Sequence, residues 1–380
     1  MTERERFAAV LHFRKPDRVP NVEIGYWEDT LARWRTEGLP PDMPAYPPPG
    51  DRRYTRHSRE LTEYFHLDAH DVAYNVTIGM SSSPAPTAEV IAEDEQTRTY
   101  RYSNGYVTKC LKSNEGIFQE LDWAVKTRRD WEAKVAWRYD PDTPGRFPDN
   151  WDELVAGWRD REVPLVVSAY PHLGMFGPLR DLIGIEHMAP LLYDDPEFIH
   201  DMAHHWGEFH YCLLEQIVSD VVPDTVDFWE DMAFHTAPLI SPRMFMEFFG
   251  PHYRRINDLL IEAGVPVRGV DSDGDASQVI GPFLRCGMNY LWPLEVAAHM
   301  DAPVLRRRYG KQLLLHGNLD KRAIAAGPPA IDRELEAKIP VALEGGYLPT
   351  CDHSMPPDIS WEAVQYYWRR KKELLGIEVE

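Results

Sequence analysis

The sequence predicts a (β/α)8 TIM barrel with an antiparallel hairpin insertion after the second strand. Three observations support this fold class: eight short apolar segments are strand-like, amphipathic helical patterns lie between most of them, and no GxGxxG motif follows any strand. Alternating strands and helices require a parallel sheet with right-handed crossovers. Eight such units in 380 residues suit a barrel better than an open dinucleotide-binding sheet.

The chain opens with a short amphipathic helix. Thr2 followed by Glu5 is a capping-box pattern, and Phe7, Val10 and Leu11 then recur at helical spacing. The strand-like segments that follow are residues 19–25, 70–76, 164–169, 225–229, 266–270, 288–292, 312–316 and 346–350. The main helical patterns are residues 196–219, 242–263, 277–286, 304–309, 331–343 and 361–375.

One region departs from this repeat. Between residues 88 and 112, β-branched and polar residues alternate around Asn104-Gly105, which is a strong hairpin turn signal. We therefore expect residues 84–127 to form a β-hairpin insertion placed to cover the barrel mouth. The whole chain, residues 1–380, is otherwise predicted to be a single barrel domain.

Composition excludes several functional classes. The net charge of −20 opposes binding to nucleic acid and to anionic membrane surfaces, because phosphate binding requires clustered Lys and Arg. No signal-peptide pattern and no run of 18 apolar residues is present. The four cysteines have no CxxC spacing, which argues against a disulfide framework. We therefore expect a cytoplasmic protein that acts on a small molecule.

The candidate site residues are the polar and aromatic ones that follow the apolar segments, because barrel active sites form at the C-terminal ends of the strands. They are Tyr26, Trp27, Tyr170, His172, Glu230, Asp231, Asp271, Ser272, Asp273, Glu295, His316, Asn318, Cys351, Asp352 and His353. Acidic residues dominate this set. Several carboxylates at one mouth repel each other unless a cation, a proton or a cationic substrate lies among them.

Two pairs of acidic residues, Glu230 with Asp231 and Asp271 with Asp273, each have two interpretations. They either contribute to function at the mouth or cap the helices that follow, since carboxylates are favoured at helix N-termini. The residue pattern leaves both interpretations open.

The end of the last predicted strand places a cysteine, an aspartate and a histidine side by side. Cys351 is either an apolar filler, a metal ligand or a nucleophile. His353 is the stronger candidate for function, because Asp352 can hold its imidazole in one tautomer for use as a proton donor.

Seven motifs taken in order resemble the uroporphyrinogen decarboxylase superfamily, which also contains corrinoid- and coenzyme M-linked methyltransferases. They are FAAVLHFRKPDRVP, FWEDMAF, LISPRMFMEFFGPHYRRI, DSDGD, NYLWPLE, LLLHGNLDKRAIAAG and GGYLPTCDHSMPPDIS. The resemblance extends over most of the chain and implies a (β/α)8 barrel with its site at the C-terminal end.

The resemblance also separates branches of this superfamily. True uroporphyrinogen decarboxylases carry an arginine-rich segment after the first strand, where this chain has NVEIGYWEDTLARW. The methyltransferase branch binds zinc through an HxC pair and a late Cys, where this chain has DSDGD and Cys351. The resemblance therefore implies that Asp271 and Cys351 bind zinc. A carboxylate oxygen is a harder ligand, in the chemical sense, than the thiolate it replaces.

The function that this resemblance implies is transfer of a methyl group from a small methoxylated or N-methylated compound to a corrinoid protein. Catalysis is assigned to Glu230, Asp231, Asp273 and His353. Substrate binding is assigned to Tyr26, Trp27, Tyr170, His172, Phe176 and His316. The family also suggests a homodimer.

Two alternatives from other classes remain. A decarboxylase or lyase acting on a small carboxylated substrate requires an Arg in the mouth, and Arg18, Arg180 and Arg268 are the candidates. A non-catalytic corrinoid-binding or small-molecule-binding protein requires no metal.

Overall fold

A computed structural model describes residues 1–44, 59–68, 74–75, 78–168 and 172–378. Its strands are β1 (Tyr74–Asn75), β2 (Ala88–Glu93), β3 (Thr97–Tyr102), β4 (Val107–Leu111), β5 (Asn114–Asp122), β6 (Leu165–Ser168), β7 (Thr225–Trp229), β8 (Val267–Asp271), β9 (Tyr290–Trp292), β10 (Leu314–Leu319) and β11 (Tyr347–Cys351).

Helices alternate with most strands of the parallel sheet along the chain. They are α1 (Glu3–Leu11), α2 (Glu28–Glu37), α3 (Arg59–Tyr64), α4 (Arg128–Asp130), α5 (Trp151–Trp158), α6 (Phe176–Ile183), α7 (Ile185–Asp194), α8 (Pro196–Asp220), α9 (Pro242–Phe248), α10 (Gly250–Glu262), α11 (Ile280–Arg285), α12 (Ala302–Tyr309), α13 (Lys321–Ala325), α14 (Pro328–Leu343) and α15 (Trp361–Leu375). The described helices include none that is long and apolar enough to cross a membrane.

The fold is α/β, with a seven-stranded parallel sheet in the order β1-β6-β7-β8-β9-β10-β11. From β6 onwards, strands adjacent in the sheet are also consecutive in sequence, and helices occupy most of the connections. This arrangement brings the carboxyl ends of β7 to β11 to one edge of the sheet.

The prediction of a strand at residues 19–25 is wrong. Pro20 has no N–H to donate, and the N–H of Asn21 donates instead to the Asp68 carboxylate at 2.6 Å. The N–H of Cys351 in β11 likewise donates to the side chain of Glu23 at 2.9 Å. Side-chain carboxylates therefore accept backbone N–H groups that would otherwise bond to the backbone of a neighbouring strand.

A four-stranded antiparallel sheet in the order β2-β3-β4-β5 occupies residues 88–122, within the segment predicted to form a hairpin. Asn104-Gly105 lies in the turn between β3 and β4, and Gly105 has the positive φ of 96° that such a turn requires. Tyr106, just before β4, marks the end of this sheet that lies near α6: burial and its hydrogen bond to Glu120 raise its pKa most, and the charge of Asp181 in α6 raises it further.

One face of the parallel sheet packs against α1 and residues 19–25 in an apolar cluster of its own. Its buried members are Phe7, Val10, Leu11, Val22, Ile24, Val267, Tyr290, Trp292, Leu314 and Leu348. Gly269 in β8 leaves room there for Asp227, because a Cβ at this glycine would lie 1.8 Å from the Asp227 Oδ1. The sheet therefore has polar as well as apolar groups on this face.

Candidate active site

The candidate active site lies where β7, β8, β9, β10 and β11 end; we call this edge, with the loops that follow these strands, the mouth. Carboxylates from three of these loops lie near one another: burial is the largest cause that raises the pKa of Asp231, and the charges of Asp273 and Glu295 raise it further. Ligands of parallel α/β sheets bind at the carboxyl ends of the strands, which makes this edge the candidate site.

Glu230 was predicted to be catalytic, but the structure gives it an anchoring position. One carboxylate oxygen accepts the N–H of Met175 at 2.8 Å, and the other accepts those of Phe176 and Gly177 at 2.9 and 3.1 Å. The hydroxyl of Tyr253 also donates to it. Complete burial raises the pKa of Glu230 to about 7, against the three N–H donors that favour the carboxylate. Glu230 therefore holds the start of α6 and has no exposed oxygen for substrate.

Asp231, the next residue, faces the mouth. Its backbone has a φ of 36°, which is uncommon outside glycine, and Arg180 of α6 holds it there. Both terminal nitrogens of Arg180 lie 3.2 Å from the Asp231 Oδ2, and one also donates to the Asp231 carbonyl. Burial raises the pKa of Asp231, while Arg180 opposes that change. The exposed part of the carboxylate remains available at the mouth.

Asp273 and His353 form a pair between the loops that follow β8 and β11. The His353 Nε2 lies 3.5 Å from the Asp273 Oδ2, with 30% of the His353 side chain and 40% of the Asp273 side chain exposed. Burial lowers the pKa of His353, but Asp273 outweighs that effect and the pKa is raised above its ordinary value. The structure thus brings together an imidazole and the carboxylate that favours its protonated form.

Trp27 lies beside this pair at the start of α2. Its ring stacks near the His353 imidazole, with centroids 6.4 Å apart and planes 25° from parallel. The indole is 42% exposed, so it presents an apolar surface to any molecule that enters the mouth.

Two further charged side chains at the mouth are Glu295, which follows β9, and Lys321, which follows β10. The Lys321 Nζ donates to the Glu295 Oε1 at 2.8 Å. Glu295 was among the candidates predicted from the sequence, whereas Lys321 was not, because the strand was predicted to end at residue 316 and β10 extends to Leu319. The position of Lys321 directly after the Asp320 helix cap and the β10 strand was the signal that could have found it.

The predicted zinc ligands, Asp271 and Cys351, do not fit a zinc site. They end β8 and β11, which are not adjacent in the sheet. Cys351 is buried in an apolar cluster with residues of α13 to α15, and burial raises the pKa of its thiol well above the ordinary value. Within the described ranges, no group of three or more His, Cys, Asp or Glu side chains could hold a metal ion.

Two residues predicted to bind substrate lie in packed cores instead. Tyr26 is buried against Trp34 and Phe65, with ring centroids 5.4 Å away in each case. Phe176 is completely buried at the start of α6 and packs against Phe249. Strand-end position alone did not reveal which way these side chains point.

The remaining predicted substrate-binding residues differ in position. His316 lies three residues before the end of β10, stacks on Tyr290, and has its Nδ1 2.6 Å from the Tyr290 hydroxyl. His172 precedes α6, burial lowers its pKa, and its backbone is hydrogen-bonded to His210 of α8. Tyr170 lies outside the described residues. The mouth therefore includes Trp27 directly, while His316 is buried within the sheet.

A family model described as uroporphyrinogen decarboxylase (URO-D) matches residues 174–374, which is more than half of the chain. The chain belongs to the uroporphyrinogen decarboxylase family. The match begins just before α6 and includes Arg180, Asp231, Asp273, Lys321 and His353. The resemblance drawn from the sequence motifs is confirmed.

Two individual proteins are similar to this family member. A uroporphyrinogen decarboxylase from Rhodococcus erythropolis is 26% identical over 215 residues, covering 53% of this chain and 54% of that protein. The match thus spans about half the length of the curated relative. A methyltransferase from Methanosarcina mazei superposes with a TM-score of 0.57, covering 98% of this chain and 99% of that chain at 16% identity. At that identity the similarity shows the fold alone.

Proposed function

We propose that this protein is an enzyme that removes a methyl group from a small methoxylated or N-methylated compound and passes it to a corrinoid carried by a partner protein. The observation that carries the proposal is the Asp273–His353 pair, which lies at the mouth beside the half-exposed Trp27. Membership of a family of enzymes supports a catalytic role, and the motif resemblance supports methyl transfer.

The chemical difficulty in this reaction is the leaving group. When the bond between the methyl carbon and the heteroatom breaks, the electron pair stays on oxygen or nitrogen, and an unprotonated alkoxide or phenoxide leaves poorly. His353 donates a proton from Nδ1 to that heteroatom, because its Nε2 faces Asp273, whose carboxylate favours the protonated imidazole. The partner's corrinoid would supply the nucleophile that accepts the methyl group.

The structure supports this assignment in two further ways. The isolated bridge between Tyr26 and Met355 is consistent with a closed barrel, in which the segment before α2 lies beside β11 and brings Trp27 to His353. The exposed side of Trp27 leaves the pair accessible from outside, as a methyl acceptor on a second protein requires. No step is assigned to zinc, because Asp271 and Cys351 do not fit it. A homodimer and a cytoplasmic location remain predictions.

A decarboxylase or lyase is the second candidate, and Arg180 is the observation that favours it. Of the three arginines considered, Arg180 reaches the mouth through Asp231, whereas Arg18 pairs with Asp68. Arg268 donates to backbone carbonyls of the loops that precede β8 and β9. A substrate carboxylate would have to compete with Asp181 and Asp231 for the Arg180 guanidinium.

One assay separates these candidates. The purified protein is incubated with methoxylated aromatic compounds, N-methylated amines and chemically reduced cobalamin, and methylcobalamin is followed by its absorbance; carbon dioxide release from small carboxylic acids is measured in parallel. We expect methylcobalamin, formed about 10²–10⁴-fold more slowly by His353→Gln. His12→Gln, at the C-terminal end of α1, is the matched control and should keep the wild-type rate.

The other outcomes decide against methyl transfer. Carbon dioxide release that depends on Arg180 would establish the decarboxylase alternative. Ligand binding without either product, unchanged in His353→Gln, would establish a binding protein.

A further inference from the structure

Two side chains that the proposed reaction does not use connect the loops of the mouth. The Lys321 Nζ donates to one oxygen of Glu295 at 2.8 Å, and the other oxygen accepts the N–H of Gly274 at 3.2 Å. Gly274 directly follows Asp273. The Lys321–Glu295 pair is therefore connected to the backbone next to Asp273 by the hydrogen bond between Gly274 and Glu295.

A second connection ends beside His353. The buried carboxylate of Asp352 accepts the backbone N–H of Lys321 at 3.0 Å and that of Val296 at 2.9 Å. Val296 follows Glu295, and Asp352 precedes His353. The loops that carry Glu295, Lys321 and His353 are thus joined to one another.

The loop of Asp273 has little room to adopt another position. Gly274 has a φ of 80°, and a Cβ there would lie 2.4 Å from the carbonyl oxygen of Ala233 and 2.6 Å from that of Phe234. The N–H of Asp275 also donates to the Phe234 carbonyl at 2.8 Å. The loop is therefore packed against the loop after β7 on one side and hydrogen-bonded to Glu295 on the other.

We propose that Lys321 and Glu295 are positioning residues, which set the location of Asp273 relative to His353 and so the geometry of the pair that donates the proton. This inference rests on the proposed function for its chemical meaning, but the geometry it concerns can be measured without any substrate. Lys321 holds Glu295, Glu295 holds the Gly274 N–H, and Asp273 is thereby kept within reach of the imidazole.

The competing explanation is an ordinary salt bridge. Lys321 and Glu295 have side chains that are 23% and 21% exposed, and such a pair can stabilise the fold and act on the charge of His353 without setting the position of its imidazole. The two explanations differ in what they predict for the position of the imidazole against the Trp27 ring.

The test is the nuclear magnetic resonance signal of His353 in protein labelled with 13C-histidine and assigned by its loss in His353→Gln. Spectra are recorded at one pH well above the titration range of imidazole, so that a changed signal reports position relative to the Trp27 ring rather than protonation. Lys321→Met and Glu295→Gln remove the two halves of the connection, and Lys321→Arg keeps the charge.

Arg322→Met is the matched control, because Arg322 is the next residue, is exposed and pairs with Asp320. We expect the His353 signal to move in Lys321→Met and in Glu295→Gln, to return towards the wild-type position in Lys321→Arg, and to stay in place in Arg322→Met. Circular dichroism confirms that each variant is folded before its spectrum is compared.

An unchanged His353 signal in both Lys321→Met and Glu295→Gln, with a lower melting temperature, would overturn the proposal and leave a structural salt bridge. This outcome is separate from failure of the proposed function. If His353→Gln kept the wild-type rate of methyl transfer, the catalytic assignment would fail, although a moved signal would still establish the positioning.

Discussion

Two acid–base pairs lie on different sides of β11, and their environments are opposite. Glu23 and Lys371 are 2.7 Å apart and completely buried, whereas Asp273 and His353 are 3.5 Å apart and partly exposed. Glu23 also accepts the Cys351 N–H, so each charged group of the buried pair has additional partners. The Asp273–His353 pair opens to solvent on one side.

This difference indicates how a charged pair is used. Buried charges are tolerated when every donor and acceptor is satisfied, and they then hold elements in place. Proton transfer to a substrate requires a side chain that the substrate can contact and an N–H or O–H group that is not already hydrogen-bonded within the protein. Glu230, buried and fully hydrogen-bonded, belongs with the first kind even though it lies one residue from Asp231 at the mouth.

The largest expected effect is on the buried pair. Lys371→Met should lower the free energy of unfolding by about 3–5 kcal/mol, because it leaves Glu23 charged and unpaired in the interior. Urea unfolding measures this loss. Arg369→Met, an exposed position on the same helix, is the control, and Glu23→Gln combined with Lys371→Met should recover part of the stability. A loss below about 1 kcal/mol would mean that burial does not distinguish the two pairs.

Glu230→Gln should lower the free energy of unfolding by about 1–3 kcal/mol, because an amide nitrogen then faces backbone N–H groups that need an acceptor. The measurement is again urea unfolding, with Glu247→Gln on the exposed side of α9 as control. A variant with full stability but lost activity would contradict the anchoring role and return Glu230 to the chemistry.

Cys351→Ala should lower the free energy of unfolding by about 1 kcal/mol, since it removes one buried atom from an apolar cluster. Elemental analysis of the wild type and the variant should find the same metal content. Near-stoichiometric zinc in the wild type that is absent from the variant would refute the conclusion that Cys351 packs rather than ligates.

The smallest effect should come from the exposed pair. Asp273→Asn should lower the pKa of His353 and remove about 0.2–1 kcal/mol of stability, as expected for partly exposed ion pairs. Because Asp273 raises the His353 pKa in the folded state, this stabilisation is complete below the ordinary pKa of histidine. It is lost as pH rises through the raised value.

Histidine titration by nuclear magnetic resonance checks the pKa, and unfolding at acidic and alkaline pH checks the energy. A pKa of His353 that stays unchanged in Asp273→Asn would show that the two side chains do not interact, and would remove the basis of the comparison.

The sequence predicted the sheet well from β6 onwards, because short apolar segments between helices mark buried parallel strands. It could not predict that residues 19–25 lack a ladder, since this depends on where the Glu23 and Asp68 carboxylates point. Side-chain contacts between residues far apart in the chain produce no recognisable pattern in the sequence around either residue.

The same limit applies to the site. Asp231, Asp273 and His353 were found because each follows a strand, and the carboxyl ends of parallel strands meet at one edge. Tyr26 and Glu230 occupy equivalent sequence positions but point into packed surroundings. Whether a strand-end residue faces the mouth depends on the backbone conformation of the turn that follows the strand. Asp231 is an example, because its φ is positive whereas that of its neighbour Glu230 is not.

The side-chain connection between residues 19–25 and the C-terminal part of the chain has a consequence for the order of folding. Lys371 and Glu23 are 348 residues apart, so residues 19–25 cannot form this buried ion pair until α15 has been synthesised. Closing so long a loop is a late step, because its entropy cost precedes any contact that rewards it. Val22 and Ile24 share their apolar cluster with residues as distant in sequence as Leu348, so their full burial also depends on contacts that form only after β11 has been synthesised.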